Sequence, residues 1–399
     1  MPDKSNDFPR SYIQTMKTIK DALAGSLLLA WSLTLPAQQL IDKKGSSETQ
    51  SLYQNLRILA SKGFLFGHQD DDAYGVGWRA QSGRSDVKDV TGSFPAVHGW
   101  DIGKIELNKI ANLDSVNFEN IHQWIEMVYT RGGINTISWH IDNPVSKKSA
   151  WDKTPAVKDI LPGGAEHAYF LNQLDLAADF LNTCTSGSTK IPIIFRPWHE
   201  HNGDWFWWGK GNCTEEEYIQ LWKFTVDYLR NTKGLHHLIY AFSPDRSRMD
   251  LGHAKESYLY AYPGDEYVDI IGLDNYMDVR VSKNDEEQAM KTKNLIKVLK
   301  LITLIAKEKN KVAALTETGQ EGVINPTWYS EVLLNPIKSD GNIHIAYALM
   351  WRNANKKHHY APYPGHAASE DFKKFYNDPY TLFESDLQNV YKTTKAISK

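Results

Sequence analysis

Short apolar runs recur at fairly regular intervals along the chain, each with the length of a buried strand. The eight runs are 64–66, 94–97, 134–139, 191–195, 238–242, 268–273, 312–315 and 345–350. Amphipathic segments predict helices at 47–62, 118–130, 214–229 and 291–308. The third helix opens with a capping box, because Glu217 follows Thr214 by three residues.

Strands that alternate with helices predict a parallel sheet, because parallel neighbours need a crossover connection that a helix provides. A count of eight strands favours an α/β chain folded as a (β/α)8 TIM barrel. No low-complexity linker or change of composition divides the sequence, so we predict a single catalytic domain over residues 38–399. A doubly wound open sheet is the alternative fold.

Polar or aromatic residues follow every one of the eight apolar runs. In a (β/α)8 barrel, the C-terminal ends of all strands meet at one mouth, and the loops there build the site. The sequence therefore predicts a functional site at the mouth of the barrel.

The richest of these clusters lies in residues 191–209, which read IPIIFRPWHEHNGDWFWWG. Four ionisable residues lie close together in it, Arg196, His199, Glu200 and His201, and its tryptophans are Trp198, Trp205, Trp207 and Trp208. Ionisable groups beside exposed aromatic faces are typical of a sugar-cleaving site, where rings such as that of Trp205 stack on pyranose units. The alternative is an aromatic core patch with a few satisfied polar groups.

Cleavage of a glycosidic bond needs two carboxyl groups that flank it. Glu200 follows the fourth run and Glu317 follows the seventh, so both point into the same mouth. The tryptophans around Glu200 favour its protonated form, which suits a general acid. Glu317 is the better candidate for an ionised nucleophile, with Tyr276 as a hydrogen-bond donor to it. Glu321 is a rival for this role.

The acidic and histidine clusters also allow a metal site. The run Asp70–Asp72 can bind a cation or face water, although we favour a role in loop structure. His68, His140 and His199 all follow apolar runs, which raises the possibility of zinc. No HExxH or paired-cysteine spacing supports zinc, so the sequence predicts neither a metal nor another cofactor.

Composition narrows the class of protein. A net charge of -3 gives no indication of a nucleic-acid partner, while 12% aromatic residues favour contact with carbohydrate. Cys184 and Cys213 lie at opposite ends of the fourth run, too far apart for a disulfide, so both are predicted to be free thiols. We expect a monomer.

Residues 1–37 are predicted to be an N-terminal extension with a secretory signal. Basic residues after Met16, which is a possible true start, precede an apolar stretch at 22–35 and a small residue, Ala37. This stretch is shorter than the roughly 20 apolar residues of a membrane span. We therefore expect a periplasmic or secreted mature chain without a membrane span, with an uncleaved anchor as the alternative.

Several motifs together resemble glycoside hydrolase family 26, a (β/α)8 group of the retaining clan A that consists mostly of endo-β-1,4-mannanases. The most specific is RPWHEHNGDWFWWG, followed by LTETG, GHQDD, the SWH and NP pair at 138–144, GLDNY and LMWRN. The resemblance spans residues 64–353, which include all eight predicted strands.

The resemblance implies roles for individual residues. It makes Glu200 the acid/base and Glu317 the nucleophile. It implies that His199 contacts the sugar beside the nucleophile and that Arg196 supports the carboxylates. The residues that match positions lining the point of cleavage are His140, Trp208, Tyr276 and Trp351.

The function expected from this resemblance is retaining hydrolysis of β-1,4-mannosidic bonds in mannan, galactomannan or manno-oligosaccharides. Retention predicts carboxyl groups about 5–5.5 Å apart. Alternatives are the same fold acting on another β-glycan, such as β-1,3-xylan or mixed-linked glucan, and a non-catalytic carbohydrate-binding barrel. The unmatched loops after the third and fifth runs leave endo action and mannobiose release both open.

Overall fold

The structure, a computed structural model, describes residues 40–393. The predicted leader at 1–37, with its alternative start at Met16, lies outside the described residues. Among the helices of the described part, none is long and apolar enough to cross a membrane.

Within residues 40–393, eight parallel strands form a closed barrel. They are β1 (Phe64–Gln69), β2 (Val97–Asp101), β3 (Ile134–Ser138), β4 (Ile193–Arg196), β5 (Leu238–Phe242), β6 (Ile270–Asn275), β7 (Val312–Thr318) and β8 (Tyr347–Met350). Strand β8 pairs back onto β1, with Tyr347 opposite Leu65. The predicted (β/α)8 barrel is confirmed, and the open sheet is wrong because it would leave β1 and β8 unpaired with each other.

Helices surround this barrel. The α-helices are Ser47–Ala60, Asp86–Thr91, Phe118–Arg131, Val157–Ile160, His167–Thr183, Glu215–Asp227, Ala254–Tyr258, Asp285–Glu308, Asn335–Lys338 and Ser369–Asn377. π-helical segments lie at Tyr228–Thr232 and Trp328–Leu334, and short 3-10 helices at Ile105–Leu107, Arg246–Arg248, Leu251–His253, Asp265–Tyr267, Glu321–Val323 and Glu384–Asp386. The four predicted helices are confirmed, and the capping box of Thr214 and Glu217 is formed.

Minor strands complete the secondary structure. Two antiparallel pairs join Tyr74–Gly75 to Trp78–Arg79 and Thr185–Ser186 to Thr189–Lys190. Thr381–Leu382 adds a parallel strand beside the start of β1.

Alternation along the strands separates the barrel interior from the helix layer. On β7, Val312 and Ala314 belong to the interior cluster, which also contains Ile194 of β4. Ala313 and Leu315 belong to the larger cluster between the strands and the surrounding helices. Each strand therefore points every second side chain into the barrel interior.

Several strands differ in extent from the apolar runs that predict them. Strand β2 starts at Val97, three residues later than predicted, and continues through His98 to Asp101. Strands β1, β6 and β7 also include the polar residues that follow their apolar runs. Several of the buried polar side chains in these extensions are hydrogen-bonded, for example His68 to Asp71 and Thr316 to Asp274.

A largely buried network of two acids and two bases, which we call the ion quartet, lies on the outer side of β2. Asp72 Oδ2 contacts His98 Nδ1 at 2.6 Å, and Asp72 Oδ1 contacts Arg131 Nη2 at 3.0 Å. Glu384 closes the quartet, at 3.0 Å from Arg131 and 3.5 Å from His98. Burial opposes charge on His98, but Asp72 and Glu384 outweigh it and raise the pKa of His98 to about 9.

The other two aspartates of the acidic run are also buried. Asp71 contacts His68 at 2.8 Å, and Asp70 accepts a 2.6 Å hydrogen bond from the Tyr74 hydroxyl. The structural-loop interpretation of this run is confirmed, and the idea that it faces water is wrong. Asp71, Asp72 and His98 have ligand-type atoms within 4.8 Å of one another, but their carboxylates already face His68, His98 and Arg131.

Candidate active site

A cavity of about 510 Å³ opens at the C-terminal ends of the strands, and both predicted carboxyl groups line it. The lining residues are His140, Trp151, Glu200, Trp205, Phe206, Tyr276, Arg280, Glu317, Gly319, Glu321, Trp351 and Tyr360. The site that the strand-end clusters predict is therefore present as one continuous cavity.

Glu200 reaches the cavity through a tight turn after β4. The strand ends at Arg196, which shares the inward parity of Ile194, and the chain then turns over residues 197–201. Trp198 and Glu200 both adopt left-handed backbone conformations, with φ of 51° and 54°. Such conformations cost about 1–3 kcal/mol for a side-chain-bearing residue and cluster at functional sites.

A β-bulge directs Glu317 into the same cavity. Leu273 of β6 pairs with Leu315 of β7, whereas the next residue, Asp274, pairs with Glu317. Thr316 is therefore the extra residue of the bulge. In a regular strand, Glu317 would point outward like Leu315, which lies two positions earlier. The bulge reverses this alternation, so Glu317 points inward.

Two donors face the two carboxyl oxygens of Glu317. The Arg196 guanidinium pairs with Oε2, and the Tyr276 hydroxyl donates to Oε1 at 2.8 Å. Arg196 also contacts Asp274 at 2.6 Å, which fixes the guanidinium between the two acids. Donors of this kind stabilise a carboxylate and hold it in one orientation.

Glu200 has a different environment. Burial raises its pKa well above the ordinary value, and the nearby charges of Glu317, Asp274 and Asp245 add to the shift. The Trp205 indole N–H donates to Glu200 Oε2 at 2.7 Å and partly opposes that shift. A carboxyl group whose pKa is raised keeps its proton to higher pH, as a general acid requires.

A chain of buried polar groups forms the wall next to the two carboxyls. Asp101 Oδ2 contacts His140 Nδ1 at 2.6 Å, and His140 Nε2 lies 3.1 Å from His199 Nε2. Burial lowers the pKa of His199 well below its usual value, and the charge of Arg196 contributes. Neutral His199 can therefore bond to His140 without repulsion.

The comparisons with known proteins agree with this geometry. Residues 41–386 match the model described as Glycosyl hydrolase family 26. The chain belongs to glycosyl hydrolase family 26. Its solved relatives include a family 26 β-mannanase from Bacteroides ovatus, with a TM-score of 0.81, 41% sequence identity, and coverage of 88% of this chain and 99% of that chain.

Two relatives of this family 26 chain carry the name mannan endo-1,4-beta-mannosidase. One from Bacillus subtilis is 30% identical over 335 residues, which are 81% of this chain and 80% of that protein. One from Bifidobacterium adolescentis is 36% identical over 287 residues, which are 70% of this chain. The aligned part is only 28% of the Bifidobacterium protein, so this chain matches a minor portion of its length.

Most tryptophans of the family 26 motif do not face the cavity. Trp198, Trp207 and Trp208 are fully buried and pack edge to face at ring distances of 5.3–5.6 Å. Trp208 therefore does not line the cavity, contrary to the expectation that it lines the point of cleavage; Phe206, which stacks on it at 4.4 Å, lies at the cavity surface instead. Trp205 is the tryptophan of this motif that lines the cavity.

Two other residues that were predicted to bind substrate also lie behind the cavity surface. Arg196 and His199 are 2% and 1% exposed, and neither lines the cavity. They contact the residues that do line it, namely Glu317 and His140. His140, Tyr276 and Trp351 lie at the cavity surface as expected.

Sequence reasoning missed several cavity residues. Trp151 stacks on His140 with ring centroids 5.3 Å apart, and it is 48% exposed. Arg280 and Tyr360 come from the loops after β6 and β8. Trp151 carried a weak signal as an aromatic residue in a long loop after β3, whereas loop positions such as Arg280 follow no periodicity.

The other candidate residues contact partners away from Glu200 and Glu317. Glu321 lines the cavity but pairs with His358 at 2.7 Å, away from the donors that hold Glu317. His68 and His201 do not converge with the histidines of the cavity wall. His68 contacts Asp71, and His201 bonds to the Tyr260 carbonyl at 2.9 Å. Cys184 and Cys213 are both free thiols, as predicted.

Proposed function

We propose that the protein hydrolyses β-1,4-mannosidic bonds in mannan and manno-oligosaccharides with retention of anomeric configuration. The observation that carries this proposal is the pair Glu200 and Glu317 in one cavity, with contrasting environments. Retaining glycosidases need one protonated and one ionised carboxyl group on opposite sides of the scissile bond. Family membership and the names of the relatives indicate mannan as the substrate.

In the first step, a Glu317 carboxylate oxygen attacks the anomeric carbon and forms a covalent mannosyl ester. The glycosidic C–O bond breaks, and Glu200 transfers its proton to the departing oxygen. Tyr276 and Arg196 hold Glu317 in line for this attack through the contacts that they make in the free enzyme.

In the second step, the now ionised Glu200 takes a proton from water. The resulting hydroxide oxygen bonds to the anomeric carbon, and the ester bond to Glu317 breaks. Both carboxyl groups return to their starting states. Two displacements at one carbon restore its configuration.

The aromatic rings of the cavity suit a sugar substrate. Trp151, Trp205 and Trp351 present ring surface to the cavity, while His140 and Arg280 supply polar groups. Sugars have apolar ring faces and a polar rim, so this combination binds them by stacking and by hydrogen bonds.

The direct test is a time course of products from unsubstituted β-1,4-mannan, with β-1,3-xylan and mixed-linked glucan in parallel. We expect hydrolysis of mannan with little or none of the other two glycans. A ladder of oligosaccharides indicates endo action, and mannobiose from the earliest time points indicates release from a chain end.

Two outcomes contradict the proposal. Preference for one of the other glycans assigns the barrel to a different substrate. Binding of mannan without any product assigns it to the non-catalytic carbohydrate-binding class.

We also propose a periplasmic or secreted location and a monomeric state. The support for the location is the basic and apolar pattern of residues 16–37. Fractionation of cells that express the full chain tests it, with recovery of activity in the cytoplasm as the contradicting result. Sedimentation velocity measures the oligomeric state and so tests the proposed monomer.

A further inference from the structure

Trp205 holds an unusual position between a glycine and an arginine. A Cβ atom added to Gly203 would lie 2.3 Å from the Trp205 ring, so only glycine lets the indole lie flat there. The Arg248 guanidinium lies over the ring, with its central carbon 5.1 Å from the centroid. The edge of the same ring donates the 2.7 Å hydrogen bond to Glu200.

This hydrogen bond is distinctive for Glu200. Among residues 40–393, the Trp205 indole is the one side chain that donates to the Glu200 carboxyl. Any rotation of the indole therefore removes the directional constraint on the acid/base. The orientation of Trp205 thus bears directly on the step that protonates the leaving group.

Arg248 is itself anchored at the rim. Its Nη2 contacts Asp204 at 2.7 Å, and Asp204 also contacts Lys153 at 3.0 Å. These three residues come from the loops after β5, β4 and β3, so one ion network ties three loops together above the acid/base. The hydrogen bond from Lys153 and the charge of Arg248 keep the pKa of Asp204 below its usual range.

We infer that Arg248 is a positioning residue for the acid/base, and that it acts through the Trp205 ring. The inference rests on the proposed glycosidase function and extends it to a residue outside the cavity lining. A guanidinium over an aromatic face at an exposed site makes a weak interaction, so the expected effect on catalysis is modest and measurable.

The test uses Arg248→Met, Arg248→Lys, Trp205→Phe and the double variant Arg248→Met with Trp205→Phe. For each we would measure kcat/KM on mannopentaose and on a 2,4-dinitrophenyl β-mannobioside. The dinitrophenolate leaves without a proton, so its glycosylation step does not need the general acid.

We expect Arg248→Met to lower kcat/KM on mannopentaose by about fivefold and on the aryl substrate by less than twofold. Arg248→Lys keeps the cation and should restore most of the loss. The double variant should be no worse than Trp205→Phe, because Arg248 acts through the indole. The alkaline limb of the pH profile should move to higher pH in Arg248→Met, because weaker donation from Trp205 leaves Glu200 protonated longer.

Three results would overturn the inference. Equal losses on both substrates would indicate a general structural role or direct sugar contact. Additive losses in the double variant would show that Arg248 acts without Trp205. Unchanged kinetics in Arg248→Met would show that Arg248 does not position the acid/base. A wild-type protein inactive on both substrates would instead refute the proposed function, and the inference with it.

Discussion

Two clusters of buried or half-buried ionisable groups contain similar residues but have different roles, one in the stability of the fold and the other in the cavity. The ion quartet of Asp72, His98, Arg131 and Glu384 contains two acids and two bases, each in contact with opposite charge. In the cavity, burial and then the nearby charge of Glu317 raise the pKa of Glu200, while Arg196 is already bonded to Glu317.

The difference lies in charge balance and in access. The quartet is balanced in charge and largely buried, with Arg131 the most exposed side chain at 21%, so its groups bond to one another and leave little room for a substrate. The cavity pair has an unmatched acid beside open space, so Glu200 can change its protonation state during a reaction. Burial of ionisable residues alone therefore does not indicate catalysis.

The largest effect is expected for Glu317→Gln, which keeps the shape of the side chain but removes the nucleophile. Activity on mannan should fall by about 10⁵-fold. Glu321→Gln is the matched control, since it also lies in the cavity, and should lose less than about fivefold because it has no covalent role. Initial rates for the two purified variants decide between these glutamates, and the reverse pattern would contradict the assignment.

The next effect concerns the acid/base. Glu200→Ala should lower kcat/KM on mannan by about 10²–10⁴-fold and much less on an aryl mannobioside with a good leaving group. The raised pKa of Glu200 makes wild-type activity fall as pH rises through that pKa, because the acid loses its proton. That alkaline limb should disappear in the variant. A retained limb would assign it to another group.

Substitutions in the ion quartet should change the stability of the fold rather than the rate of catalysis. His98→Asn leaves Asp72 and Glu384 short of one positive partner, which should cost about 3–5 kcal/mol in the free energy of unfolding. Activity per folded molecule should stay near that of the wild type. His253→Asn, at a histidine whose side chain is 79% exposed, serves as the control and should leave the free energy of unfolding close to that of the wild type. Urea denaturation measures both variants.

The same quartet predicts a pH dependence of stability. The folded pKa of His98, about 9, lies above the ordinary value of 6.5, so the folded state binds the proton more tightly. The contribution of His98 to the free energy of unfolding is about 3 kcal/mol. It is fully present below pH 6.5 and is lost as pH rises through the folded pKa of about 9. Urea denaturation at a series of pH values measures it. A His98→Asn variant with the same decline above pH 6.5 would contradict this source.

The barrel was predictable because strand periodicity and turn chemistry are local properties of the sequence. Alternation places Arg196 on the inner side of β4 with Ile194, and the capping box at Thr214 is a four-residue signal. The two carboxyls were predictable because they follow strands of one barrel. The partners of the polar residues at the ends of β1 and β2 were not predictable, since they lie far along the chain: His68 contacts Asn353, and His98 contacts Glu384.

The details of the site depend on features without a sequence signal. The bulge at Thr316 appears only in the register between β6 and β7. The burial of Trp208 depends on Phe206 stacking over it, which a list of aromatic residues does not reveal. Cavity residues from loops, such as Trp151, are positioned by tertiary contacts and not by periodicity.

The central claim is double displacement by Glu317 and Glu200, and the anomeric form of the first product tests it most directly. Proton NMR during hydrolysis of mannopentaose should show the β-anomer at the new reducing end first, with the α-anomer appearing only through mutarotation. Glu317→Gln should give neither product on this timescale. The α-anomer as first product, or hydrolysis that survives in Glu317→Gln, would contradict the account.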